Sequence, residues 1–135
     1  MTNVSTDVAK SILTAAEKKA TEIEVPMCIA VFDEGANMVA FRRMNDALLA
    51  SIDIAQNKAY SAVSLKMPTH ELADAGQPNE SLFGIHSTND DRIVIFGGGY
   101  PLRVNGNVVG AVGVSGGAVE EDRTVAEAGV EAFES

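Results

Sequence analysis

Leu102-Arg103-Val104-Asn105-Gly106-Asn107-Val108-Val109-Gly110-Ala111-Val112-Gly113-Val114 decides the fold, because Asn-Gly between two β-favouring runs is the strongest short hairpin signal. Residues 102–104 and 107–114 are therefore expected to pair antiparallel. Upstream, Asp33-Glu34-Gly35-Ala36-Asn37 supplies turn chemistry between the apolar run 27–32 and a returning strand, Met38–Arg43. The run Met27-Cys28-Ile29-Ala30-Val31-Phe32 is short and continuous, as in a strand covered on both faces. A further apolar run, residues 92–96, reads as a strand that ends at the irregular corner Gly97-Gly98-Gly99. Five strands in a mainly antiparallel sheet follow, and parallel-sheet α/β folds are disfavoured.

Helices fill the remainder. Residues 4–23 place Val4, Val8, Ile12, Ala15, Ala16, Ala20 and Ile23 on one stripe with Lys and Glu between them. Residues 47–65 carry neither Gly nor Pro and present Leu48, Ile52, Ala55, Ala59, Ala62 and Val63, the pattern of a well-buried second helix. Pro68 ends it, and Thr69–Ala75 is expected as a short third helix with Thr69 as its N-cap. Residues 120–133 form a closing helix whose first turn is acidic at Glu120, Glu121 and Asp122, which suits the helix dipole. Residues 76–91 form the longest irregular stretch, and its length makes it the expected wall of a binding site.

At 135 residues, with 46% hydrophobic and 21% charged residues, the chain is expected to fold as one α+β domain, residues 1–135. The net charge of −9 argues against nucleic acid and anionic membrane surfaces as partners. No stretch approaches the roughly 20 apolar residues of a membrane span, and the first ten residues lack the apolar core of a secretory leader. One cysteine, Cys28, allows no internal disulfide and fits a reducing compartment, so a cytoplasmic location is expected.

Catalytic motifs are incomplete. The glycines at 97–99 and at 110, 113 and 116 have the wrong spacing for a dinucleotide fingerprint, and no phosphate loop of the Gly-Lys-Ser/Thr type is present. Gly113-Val114-Ser115-Gly116-Gly117 is not a nucleophile elbow, although such a turn can present free amides to a ligand carboxylate. Two histidines, His70 and His86, exclude a three-histidine zinc site. His70 is the better ligand candidate, since it follows Thr69 at a helix start and imidazole can hold haem iron axially. Arg42 and Arg43 offer planar forks to a carboxylate or propionate, against simple solvation at the surface. Lys58, on an otherwise apolar helix, is either a buried cation or a stem reaching for water. Thr69, Gly98, Gly99, Ser115 and Gly116 complete the set of candidate ligand-contacting residues.

Several segments together carry a resemblance that no single motif does. They are Asp33-Glu34-Gly35, Arg43-Met44-Asn45-Asp46-Ala47, Asn57-Lys58-Ala59-Tyr60-Ser61-Ala62, Pro68-Thr69-His70-Glu71, residues 95–102, residues 110–117 and Glu121-Asp122. Over residues 4–133 the chain resembles the GlcG/HbpS-like family, and looks closest to the C-terminal domain of PduO-type cobalamin adenosyltransferases. The resemblance implies a profilin-like three-layer α/β/α arrangement around a five-stranded antiparallel sheet, assembled as a homo-oligomer. It also implies haem binding for some members, and a link to glycolate or diol metabolism for others. Adenosyltransferase activity is not expected, because in PduO-type proteins it belongs to a separate N-terminal domain.

Three functions follow as expectations. The first is a haem- or tetrapyrrole-binding accessory protein, with His70 as the iron ligand, Arg42 or Arg43 near propionates, and residues 76–91 as a wall. The second is an enzyme of small organic acids, with the substrate carboxylate against the 113–117 backbone and Arg43, and Lys58, His70 or Asp122 moving protons. The third is an oligomeric scaffold without its own ligand.

Overall fold

The order of elements is α1 (Thr6–Glu22), β1 (Cys28–Asp33), β2 (Met38–Arg43), α2 (Leu49–Leu65), α3 (Thr69–Ala75), β3 (Gly99–Val104), β4 (Asn107–Ser115) and α4 (Val119–Glu134). These assignments come from a computed structural model that describes residues 3–135. Residues 1 and 2, the start of the stretch read above for a secretory leader, lie outside the described residues. The strands form one antiparallel sheet in the order β2-β1-β4-β3.

Both hairpins form where the turn chemistry places them. Asn105 and Gly106 take φ of 51° and 83°, the two positive values that a tight primed turn requires. Between β1 and β2 the Asp33 carboxylate accepts the Gly35 and Asn37 amides at 2.9 and 3.0 Å and closes the loop on itself.

The sheet has four strands among the described residues, one fewer than expected. Residues 92–96 form no strand: Arg92 is in the right-handed helical region at the end of a single turn and Phe96 lies in a bend. A helix side chain holds the stretch instead: Ser61 Oγ of α2 accepts the Val94 amide at 2.9 Å and lies 3.1 Å from the Arg92 carbonyl. Pro101 explains why no strand is added beyond β3, since a proline removes a ladder donor and is tolerated at a sheet edge.

Alternation along the strands divides the interior into two layers. Met27, Ile29, Val31, Val112, Val114 and Leu102 face Ile12, Leu13 and Ala16 of α1 and Val125 and Ala126 of α4. Cys28, Ala30, Phe32 and Ala111 face Ala55, Ala59, Ala62 and Val63 of α2. Each fully buried Ile or Val on the first side contributes about 1.5–3 kcal/mol. On the second side small residues bring α2 close to the sheet: a Cβ on Gly113 would sit 2.6 Å from the Ala59 nitrogen.

Helix ends follow their caps. The first helix starts at Thr6 because Ser5 Oγ accepts the Val8 amide at 3.2 Å. The second starts at Leu49 and ends with Lys66 in the left-handed region, just ahead of Pro68. Pro68, not Thr69, is the N-cap of α3. Thr69 has turned its hydroxyl inward, where it accepts the Gly99 amide at 2.9 Å. Residues 76–91 contain two single-turn 3-10 helices, Ile85–Ser87 and Asn89–Asp91.

Candidate functional site

Lys58 is the pivot of the glycine corner. It is fully buried, and its Nζ donates to Asp122 Oδ2 and to the Val114 carbonyl, each at 2.9 Å. The other carboxylate oxygen of Asp122 accepts the Gly117 amide at 2.9 Å. Gly98 packs on this pair with φ of +125°, and a Cβ there would lie 2.6 Å from Lys58 Nζ and 2.7 Å from the Val114 oxygen. Only glycine meets both demands. Gly99 follows, tied to Thr69, so four of the expected residues (Lys58, Gly98, Gly99 and Thr69) do come together.

Burial dominates the electrostatics of that pair. It pulls the Lys58 amine below its ordinary range, while Asp122 draws it back. It pushes the Asp122 carboxyl above the usual carboxylate range, against the opposing pull of Lys58 and of the Gly117 and Gly116 amides. With side-chain exposures of 0% and 4%, neither partner meets solvent. The pair clamps α2 to α4 and presents no free proton donor at a surface.

The remaining expected residues are dispersed. Ser115 is buried and bonded to Ser51 Oγ at 3.0 Å. Gly116 sits against Pro26 and Met27, near enough to Asp122 for its amide to favour the charged carboxylate. Arg42 and Arg43 lie on β2, the edge opposite β3, and as neighbours on a strand they point to opposite faces. Arg42 pairs with Glu17 at 2.9 Å, and Arg43 donates to the Ala47 carbonyl at 3.0 Å. Both border a surface cleft of about 310 Å³ with Glu17, Met44 and Asn45. They are thus separated from the glycine corner by the width of the sheet.

His70 is half-buried on α3 and tilted onto the Tyr100 ring, with centroids 5.5 Å apart and planes at 53°. Its Nδ1 is buried without a hydrogen-bond partner. Tyr100 in turn bonds Glu127 and accepts from Arg123 Nε at 3.2 Å; burial and the Glu127 carboxylate push its phenol up.

A feature the spacing arguments did not isolate is an open surface cleft of about 440 Å³ between α2 and residues 91–96. Ile54, Ile93, Val94, Ile95 and Phe96 give it an apolar lining, and Asp53, Asn57, His86 and Asp91 its polar groups. The long irregular stretch thereby contributes two wall residues, His86 and Asp91. It is pinned to α2 by Asn89 Nδ2 donating to Tyr60 Oη at 3.0 Å, and by the Arg92 guanidinium lying 3.7 Å over the Tyr60 ring. Phe96 joins cleft and corner, because its ring lies 5.0 Å from Lys58 Nζ on the other side. Among the described residues no cluster of three or more His, Cys, Asp or Glu side chains is placed to hold a metal ion. No helix of the described residues is long and apolar enough to cross a membrane.

An antiparallel sheet with helices on both faces defines a small α+β protein, without the parallel sheet and phosphate loop of nucleotide folds. The family described as haem degrading protein HbpS-like matches residues 4–131, and the chain belongs to that family. It is 53% identical to an uncharacterised 15.0 kDa protein from the dhaT–dhaS intergenic region of Citrobacter freundii, over 93% of this chain and 88% of that one. The corrinoid adenosyltransferase PduO of the same organism is 42% identical over 88% of this chain, which spans only 36% of PduO's length. Among solved structures, a PduOC:heme complex superposes with a TM-score of 0.91 at 37% identity, covering 93% of this chain and 91% of that one.

Proposed function

We propose that this chain, as a single domain, is a haem- or tetrapyrrole-binding accessory protein. The observation that carries the reading is the open cleft of about 440 Å³, which offers an apolar wall to a planar macrocycle and bears an imidazole among its lining residues. Haem fits these residues: Ile54, Ile93, Ile95 and Phe96 offer an apolar wall, and one of the chain's two histidines offers nitrogen to iron. A bound haem would supply iron-centred redox and ligand chemistry. The protein's part is to exclude water from one face, to set the iron ligand and to orient the anionic edge. The haem complex of the PduOC relative supports the reading.

Titration of the chain with haemin tests it. A saturable shift of the Soret band is the expected result, and its absence at micromolar protein refutes haem binding.

The name of the corrinoid adenosyltransferase PduO supports a link to cobalamin metabolism; with it we propose a place in glycolate or diol metabolism, a cytoplasmic location and a homo-oligomeric assembly, the last of which a strict monomer on size-exclusion chromatography with mass detection refutes. One observation favours the enzymatic reading: Lys58 and Asp122, two of its three proton-moving candidates, do meet at 2.9 Å. Their burial opposes it, because a substrate atom must come within hydrogen-bond reach of such groups.

A further inference from the structure

We propose that His86, and not His70, is the axial imidazole of this chain, and that the ligand enters the α2 cleft with its anionic edge directed outward to Arg92. The proposal rests on the haem reading above and assigns its site.

The two histidines differ in what surrounds them. His86 is exposed on the single turn Ile85–Ser87 and lines the cleft. That turn is held by its own side chains: Ser87 Oγ donates to the Gly84 carbonyl at 2.8 Å and Thr88 Oγ1 to the Ile85 carbonyl at 2.6 Å. The ring is therefore presented from a fixed turn while its nitrogens stay open to a ligand, with Ile54, Ile93, Ile95 and Phe96 forming the apolar lining. His70 is committed elsewhere. Its ring packs on Tyr100, and its Nδ1 is buried, out of reach of a ligand in the α2 cleft.

Charge sets the orientation. Asp53 and Asp91 line the same cleft, so carboxylates of a guest are repelled from their side. Arg92 stands between Asp91 and Ile93, exposed, with its guanidinium stacked on Tyr60, its Nε donating to the Asn89 carbonyl at 3.4 Å, and its two terminal nitrogens left for a carboxylate. Arg42 and Arg43, the sequence-level candidates, are on the far edge strand and engaged with Glu17 and Ala47. Lys58 acts on the site only through Phe96, whose ring it meets at 5.0 Å.

The full chain is titrated with haemin while the Soret position and affinity are read, with circular dichroism to confirm folding. His86→Ala and the shape-conserving His86→Gln are expected to shift the band and weaken binding by about tenfold or more, the scale of losing a metal-site group. Arg92→Ala is expected to weaken binding severalfold without moving the band, and His70→Ala to leave both within about twofold; these small changes are the scale of an exposed charge contact. A wild-type spectrum and affinity in both His86 variants, or loss of the band in His70→Ala, overturns the assignment while haem binding itself stands. No saturable shift in the wild type removes the haem reading and the assignment with it.

Discussion

Lys58 Nζ and Asp122 Oδ2 meet at 2.9 Å although the helices that carry them cover opposite faces of the sheet. The contact passes the end of β4, where the Val114 carbonyl takes a second hydrogen bond from the same ammonium. One buried charge thus ties together both helical layers, the central strand and, through Gly98, the start of β3.

Removing one partner is expected to cost more than removing both. Lys58→Met leaves a buried carboxylate without its counter-charge, a loss of about 3–5 kcal/mol for such pairs. Lys58→Met combined with Asp122→Leu replaces the pair by apolar groups and is expected to recover much of that loss. Urea denaturation of the single and double variants measures the difference; a double variant as unstable as the sum of the single variants would contradict the clamp.

The same variant carries a pH signature. In Lys58→Met, Asp122 loses its principal opposing charge, so the carboxyl that burial already raises above its ordinary 3.8 rises further. A group with a raised folded-state pKa contributes stability below its unfolded value and loses it as pH rises through the folded one. Lys58→Met is therefore expected to lie closest to wild type in acid and furthest from it near neutrality. A stability gap that stays constant from pH 3.5 to 7 argues that Asp122 is not the affected group.

Gly98 and Gly106 both have positive φ, yet they should respond differently to alanine. At Gly106 nothing lies within 4 Å of the added methyl, so only the backbone term applies, about 1–2 kcal/mol. At Gly98 the methyl meets Lys58 Nζ and the Val114 carbonyl at 2.6 and 2.7 Å, adding steric displacement of a buried pair. A Gly98→Ala loss clearly exceeding that of Gly106→Ala in thermal or urea unfolding is the expected result.

Much of this arrangement was legible in residue order, for identifiable reasons. Turn chemistry is local, so Asn105-Gly106 and Asp33 to Asn37 placed both hairpins. The run 92–96 misled because a short apolar stretch has no period of its own, and its partner is a serine 33 residues upstream of Val94. Pro101 was the available warning that β3 is an edge. Lys58 and Asp122 each stood out, but their pairing spans 64 positions and leaves no local trace. Of the cleft, the 76–91 stretch contributes only His86 and Asp91 to the lining, and which of the two imidazoles the folded chain leaves uncovered has no local signal in residue order.

Cys28 tests the tightness of the α2 layer. It has no exposed surface, lies in β1 between Arg43 and Ser115 of the neighbouring strands, and has its thiol pushed up by burial against the opposing influence of Arg43. Reactivity requires the thiolate and access to it, and the native protein denies both. Treatment with a thiol-specific chromogenic reagent near neutral pH should give negligible labelling of the folded chain and one equivalent after denaturation, matching the single cysteine. In Gly113→Ala the added Cβ would lie 2.6 Å from the Ala59 nitrogen and force α2 away from the sheet, so labelling under native conditions should accelerate. Rapid labelling of the wild-type chain would show that α2 does not seal this face.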